Sequence, residues 1–237
     1  MNNNTVYEWI LHSTFTVIAR EKSLESAKPY LSSLIHQGDE VLDLCCGTGF
    51  VSFWFEGLGA KVTGVDFAHY MLSLAKQEAI QRDSTVEFIE ADIFTYDFGQ
   101  ENFDLISCFD SVSDFPVPDF AKLGEKIARA LKPGGRFVLK YVDGFYKHIQ
   151  QRSAREGVYQ ESPERITFRF KEYFTEIGAT VNTIRNESRG EEYDRRGYIY
   201  TPPMVLMAMS NFLQLERRIL LEAGQFLDIF VRNADLS

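Results

Sequence analysis

Cysteine is scarce in this chain, with three residues, Cys45, Cys46 and Cys108, among 237. Two of them are sequence neighbours, which bridge each other only under strain. No Cys-x-x-Cys pair and no His-rich run offers metal-ligand spacing. A disulfide framework and a structural metal are therefore excluded, and a reducing, cytoplasmic setting fits best. Long apolar runs are missing as well: no stretch approaches the roughly 20 residues that cross a bilayer. Met1-Asn2-Asn3-Asn4 opens the chain without the basic and apolar regions of a secretory signal. Positive charge is in deficit, with 25 Lys and Arg against 34 Asp and Glu and a formal net charge of -9. With no compensating basic stripe, a phosphate backbone or an anionic bilayer would repel this surface. Neither nucleic acid nor membrane is an expected partner. Internal repeats and low-complexity stretches are absent too.

What remains is a strand-helix rhythm. The first forty residues read as helical, with amphipathic segments beginning at Glu8-Trp9-Ile10-Leu11 and spanning Ser23 to Ile35. Strands are expected at Glu40–Leu44, Lys61–Val65, Val86–Ile89, Phe103–Phe109 and Arg136–Val142. Helices are expected at Phe50–Leu58, Tyr70–Arg82 and Phe120–Leu131, the last closed by the turn Lys132-Pro133-Gly134-Gly135. Five strands joined by crossovers imply a parallel sheet covered on both faces. After Val142 the pattern changes. Phe145–Gln151 reads as a helix, and Ile166–Phe174, Thr180–Glu187 and Glu192–Tyr200 read as antiparallel strands. Pro202-Pro203 opens a short Met-rich helix, and Phe212–Leu221 with Gln225–Arg232 would complete the main sheet as a hairpin. The expected class is α/β: a doubly wound, mostly parallel seven-stranded sheet with helices on both faces and an antiparallel β insertion after strand five. The expected organisation is a helical cap segment at 1–37, a core at 38–145, an insertion at 146–200 and a closing helix and strand pair at 201–237.

Chemistry concentrates at Val41-Leu42-Asp43-Leu44-Cys45-Cys46-Gly47-Thr48-Gly49. A glycine loop at the carboxyl end of the first strand is where such sheets bind cofactors, because glycine lets backbone approach ligand closely. Asp43 ends the buried strand four residues before Gly47. A pyrophosphate there would meet a like charge, whereas an ammonium or sulfonium would meet a partner. Ser52 also occupies the place of the third glycine of a dinucleotide fingerprint. Asp43 as a plain loop or capping carboxylate, and Asp92 as plain turn chemistry, are the alternative readings.

Asp43-x-x-x-Gly47-x-Gly49, with Asp66, Asp92 and Lys132-Pro133-Gly134-Gly135 following in order, resembles the class I S-adenosylmethionine-dependent methyltransferases over about residues 38 to 142. The resemblance implies that Asp43, Cys45, Gly47 and Gly49 surround the methionine ammonium. Asp66 would accept both ribose hydroxyls, with Phe67 and Met71 near the adenine. Asp92 would accept from the adenine amino group beside Ile93, and Cys108 and Phe109 would line the methionine portion. The loop Cys108–Phe115 resembles that of small-molecule N- and O-methyltransferases. In such relatives the insertion roofs the active site and joins subunits, so a homodimer is compatible with the pattern. No Asn-Pro-Pro-Tyr-type motif follows strand four, which disfavours base- and glutamine-methylating families.

The expected reaction is in-line transfer of a methyl group to nitrogen or oxygen of a small acceptor. A hydroxyl acceptor needs a general base, for which His148, Tyr141 and Asp110 are the candidates. Tyr7, Trp9, His12, Ser111 and Tyr146 are candidates for contacting the acceptor. Two other readings stand beside this one: an NAD(P)-dependent oxidoreductase on a similar sheet, and a non-catalytic protein binding S-adenosylmethionine or S-adenosylhomocysteine.

Overall fold

The computed structural model describes residues 14–144, 156–159, 166–174, 179–186, 190–222 and 224–232. The elements in chain order are α1 (Thr14–Leu31), β1 (Glu40–Leu44), α2 (Phe50–Gly57), β2 (Lys61–Asp66), α3 (His69–Arg82), β3 (Glu87–Glu90) and β4 (Phe103–Phe109). Next come α4 (Val117–Ala130), β5 (Leu131–Val142), β6 (Glu156–Tyr159), β7 (Ile166–Phe174), β8 (Ala179–Asn186) and β9 (Glu191–Tyr198). The chain closes with α5 (Pro202–Met209), β10 (Leu213–Leu220) and β11 (Gln225–Arg232).

Among the described residues, seven strands form one sheet in the order β3-β2-β1-β4-β5-β11-β10. Pairs from β3 through β5 are parallel, and β11 pairs antiparallel with both β5 and β10. A sheet covered on both faces needs apolar side chains on both, so its strands lack polar alternation. Period two instead sorts side chains between two cores. Val41, Val62, Leu105, Val138 and Leu227 pack with Ala27 and Leu31 of α1, Phe53 and Phe55 of α2, and Leu72 and Ala75 of α3. Leu42, Ile106, Phe137, Leu139 and Phe230 pack with Phe120, Leu123 and Ile127 of α4 and with Val205 and Met209 of α5. Burying each of those three α4 side chains is worth about 1.5–3 kcal/mol.

The doubly wound seven-stranded sheet matches the expected class, and so does the closing hairpin. The insertion holds four described strands, in the order β6-β7-β8-β9. Its extra strand, β6, reads Glu-Gly-Val-Tyr and is too short and mixed to show periodicity. β5 begins at Leu131, five residues ahead of the expected Arg136. Pairing with β4 jumps from Phe103↔Leu131 to Leu105↔Arg136, so the Lys132–Gly135 turn bulges out opposite Asp104. Lys132 and the Glu40 backbone N–H both donate to the Asp104 carboxylate, at 2.6 and 2.9 Å. The expected helix at Phe145–Gln151 and the segment opening at Glu8 lie outside the described residues.

The closing hairpin carries a buried charge. Asp228 of β11 is 0% exposed and accepts two bonds from the Arg218 guanidinium, at 2.7 and 2.6 Å, and one from the Tyr141 hydroxyl at 3.0 Å. Arg218 also donates to the Pro202 carbonyl, which ties the hairpin to the start of α5. Removing one partner of a buried pair leaves the other charge uncompensated. Arg218→Met is expected to lower stability by about 3–5 kcal/mol. Urea unfolding would show a lower midpoint at unchanged slope; a loss under about 1 kcal/mol would mean that solvent screens the pair.

Candidate functional site

Strand order reverses between β1 and β4, the place where open α/β sheets bind ligands. A cleft opens there, enclosing about 400 Å³ of space, part of it open to solvent. Its lining comes from α1 (Ser23), β1 and the following loop (Asp43, Cys45, Cys46), the first turn of α2 (Phe50, Val51) and the end of β4 (Phe109, Asp110). The described lining contains two carboxylates and neither lysine nor arginine.

Asp43 forms the floor. Its strand position places it on the α2 face, where it is 1% exposed, and the structure supplies the donors that a buried carboxylate requires. Ser52 Oγ donates to Oδ2 at 2.6 Å, and Ser107 Oγ, one strand over on β4, donates to Oδ1 at 2.7 Å. Ser52, at the place of a dinucleotide fingerprint's third glycine, is thus a ligand of Asp43. Asp66 ends β2 and is buried; it accepts the Gly47 N–H at 2.8 Å and the Ala68 N–H at 2.9 Å. One carboxylate therefore fixes both the glycine loop and the turn into α3.

The loop backbone is tightly held. Gly47 and Gly49 both have positive φ, 58° and 78°. A Cβ on Gly49 would come within 2.5 Å of the Phe88 ring, so both conformation and space require glycine there. Cys45 has φ 56° without being glycine, an uncommon conformation for a residue with a Cβ. A hydrogen bond with the Cys108 thiol, and then burial, hold the Cys45 thiol well above its usual pKa. It is a protonated packing group rather than a nucleophile.

The remaining expected cofactor residues fall along the same strand ends. Phe67 is 37% exposed beside Asp66, while Met71 is buried in α3. Asp92 follows β3 and closes its own turn: Oδ1 accepts the Phe94 N–H at 2.9 Å, and its carbonyl accepts the N–H groups of Thr95 and Tyr96. Ile93 is buried behind it, as is Cys108 on β4.

The expected catalytic and acceptor residues separate. Asp110 lies on the cleft wall with φ 57°, and its carboxylate is engaged on both oxygens. Ser23 Oγ of α1 donates to Oδ2 at 2.5 Å, and Lys140 Nζ of β5 donates to Oδ1 at 2.9 Å. Tyr141, the neighbour of Lys140, points to the opposite face of the sheet. Burial, and then the Asp228 charge, push its phenol well above the usual range. It stays protonated as a donor to Asp228 and does not line the cleft; a buried polar group with a satisfied partner is a fold contact. Ser111 Oγ turns back to the Phe109 carbonyl at 3.1 Å. His148, Tyr7, Trp9, His12 and Tyr146 lie outside the described residues.

Ser23, Ser107 and Lys140 were not among the expected site residues. Two of them carried a signal: Ser107 sits inside Leu105–Phe109 and Lys140 inside Phe137–Val142, polar groups within apolar strands. A buried polar group in such a run needs a partner.

Residues 41–135 match a family described as a methyltransferase domain. A demethylmenaquinone methyltransferase of Lactococcus lactis is 34% identical over 105 residues, covering 43% of this chain and 41% of that protein. A ubiquinone biosynthesis O-methyltransferase of Coxiella burnetii is 31% identical over 111 residues, 47% of each. The chain thus spans less than half the length of these curated relatives. Among solved structures, an S-adenosylmethionine-dependent methyltransferase of Clostridium acetobutylicum superposes with TM-score 0.73 at 16% identity, over 90% of this chain and 92% of that one. The match places a methyltransferase domain at residues 41–135, and the superposition shows that the fold is shared with that structure. The cleft lies at the carboxyl edge of this methyltransferase domain, between β1 and β4. Among the described residues no helix is long and apolar enough to cross a membrane, and no acidic, Cys and His cluster offers a metal site.

Lys140 is 1% exposed, whereas the Asp110 side chain is about a third exposed. The two removals are therefore unequal. Asp110→Asn leaves a buried ammonium uncompensated and is expected to cost about 3–5 kcal/mol. Lys140→Met leaves a carboxylate that water reaches and should cost clearly less. The double variant should recover most of the Asp110→Asn loss, and a double-mutant cycle in urea reads the coupling. Additive losses would show that the two groups do not act as a pair.

Proposed function

We propose that the whole chain transfers the methyl group of S-adenosylmethionine to nitrogen or oxygen of a small-molecule acceptor. The observation that carries this reading is the charge of the cleft: two carboxylates, apolar walls and no described cation lining it. S-adenosylmethionine presents an ammonium and a sulfonium, both of which such a cleft attracts. The pyrophosphate of a dinucleotide would meet Asp43 as a like charge, so the oxidoreductase reading loses its support.

In this reading Asp43 neutralises the ammonium, with Ser52 and Ser107 holding the carboxylate in place. Cys45, Gly47 and Gly49 present backbone close to the amino-acid end. Asp66 accepts the ribose hydroxyls, two vicinal donors that one carboxylate can satisfy. Phe67, Met71, Asp92 and Ile93 form the adenine side, and Cys108 and Phe109 flank the sulfur. When bound, the cofactor supplies an activated methyl whose carbon–sulfur bond breaks as the acceptor's bond forms. The protein's part is to align the acceptor and exclude water, which is catalysis by proximity.

Residues 1–37 and 146–200 are assigned to the acceptor side, where Tyr7, Trp9, His12 and Tyr146 belong, together with Ser111. His148 is the proposed base where the acceptor is a hydroxyl. Asp110, already paired to Lys140 and Ser23, is better suited to anchoring α1 at the cleft than to taking a proton. Relatives named as a demethylmenaquinone methyltransferase and a ubiquinone biosynthesis O-methyltransferase support an organic, non-polymeric acceptor. A homodimer joined through the insertion and a cytoplasmic location complete the proposal.

Asp66→Ala is expected to weaken S-adenosylmethionine binding at least tenfold, about 1.4 kcal/mol. Titration calorimetry with S-adenosylhomocysteine reads this directly. Unchanged affinity would remove Asp66 from the ribose site, and no binding of either ligand by the wild-type protein would sink the assignment as a whole.

A further inference from the structure

We propose that Lys126 of α4 is the positioning residue for the adenine side of the cleft, holding the Asp92 turn in place through two backbone carbonyls. The proposal rests on the cofactor reading above. Lys126 Nζ donates to the Ile93 carbonyl and to the Tyr96 carbonyl, both at 2.7 Å. The same ammonium sits 4.4 Å from the centroid of the Phe98 ring, a cation–π distance. Three contacts thus converge on one group from one seven-residue stretch, 92–98. Ile93 and Phe98 are buried and anchor that stretch to the α4 core. Overlapping them is the turn in which the Asp92 carbonyl accepts the N–H groups of both Thr95 and Tyr96.

The stretch is also coupled to the neighbouring strand tip. The Ala91 N–H donates to the Asp66 carbonyl at 2.9 Å. Lys126 therefore braces residues 93–98 of a continuous piece of backbone whose first two residues, Ala91 and Asp92, touch Asp66 and close the turn. Replacing the ammonium by a methyl-terminated chain leaves two partly buried carbonyls without their donor. The turn would then relax and Asp92 would lose its fixed direction. Lys126 itself does not reach the cleft lining, so any effect on ligand must pass through the turn.

The test uses a ligand pair differing only at the group that Asp92 would recognise. Calorimetry compares S-adenosylhomocysteine with its 6-deamino purine analogue, which has hydrogen in place of the exocyclic amino donor and keeps N1 as an acceptor. Wild-type protein is expected to prefer the adenine ligand about tenfold. In Lys126→Met the preference should fall to about twofold, with the 6-deamino analogue binding as in wild type within about twofold. Lys126→Arg, which keeps donors for the carbonyls, should restore most of the preference. If Lys126→Met does not fold, Lys126→Gln, able to reach one carbonyl, should give an intermediate preference. Equal weakening of both ligands, or an unchanged preference, overturns the role of Lys126 while leaving the cofactor site standing. A wild-type protein that binds both ligands equally overturns the Asp92 assignment itself, and the proposal with it.

Discussion

A carboxylate that is 1% exposed must be met by hydrogen-bond donors, because burying it without them is costly. At Asp43 those donors are two hydroxyls brought from different elements, Ser52 on α2 and Ser107 on β4. The requirement ties the first strand to its helix and to the strand across the switch point. It also sets the character of the cleft above. In the proposed reading this carboxylate suits a cationic ligand, and the loop beyond it turns at Gly47 and Gly49. The rest of the cofactor side follows outward: Asp66 grips the Gly47 N–H, Ala91 reaches the Asp66 carbonyl, and the Asp92 turn continues from there.

Charge is handled differently on the two faces of the sheet. On the α1–α3 face, Asp43 and Asp110 lie at the cleft, and a buried cation next to them, Lys140, is paired with Asp110. On the α4–α5 face, Asp228 is matched at once by Arg218 and Tyr141, far from the cleft lining. The second arrangement has all its partners inside the fold and suits a structural role. The first stands beside open space, with Ser23 as the third member tethering α1. Period two alone separates them, since Lys140 and Tyr141 are neighbours in sequence and opposites in the sheet.

That separation marks where sequence reasoning reached and where it stopped. Strand and helix positions were legible because apolar runs, a charged strand end and glycine turns recur locally. The Asp43 corner was legible for the same reason: carboxylate, loop and glycines lie within seven residues. The failures are non-local. Ser23 and Asp110 are 87 positions apart, as are Tyr141 and Asp228. A tyrosine at the end of strand five reads as a cleft residue until its register with β11 is known. β6 went unseen because four residues with one glycine carry no period, and β5 began early because a proline-glycine turn reads as a strand boundary when it is a bulge.

The acceptor side differs in kind from the cofactor side. In the proposed reading, cofactor recognition draws on strand tips, whose positions follow from sheet geometry once the fold is formed. Acceptor recognition is assigned to the segments before β1 and after β5, and the shared similarity to curated relatives covers less than half of the chain. One link between the sides is visible. Asp110 lines the cleft while accepting from Ser23, so the middle of α1 is held at the cleft by a carboxylate that Lys140 of β5 pairs with. In the proposed reading, an acceptor that reaches this part of the cleft has that pair as a neighbour. Its ionic character then matters more than its size: a cation would compete with Lys140 for Asp110, and an anion would compete with Asp110 for a lysine that water does not reach. A neutral acceptor disturbs neither, which is the physical reason to place uncharged phenols and neutral amines first among compounds to be tried.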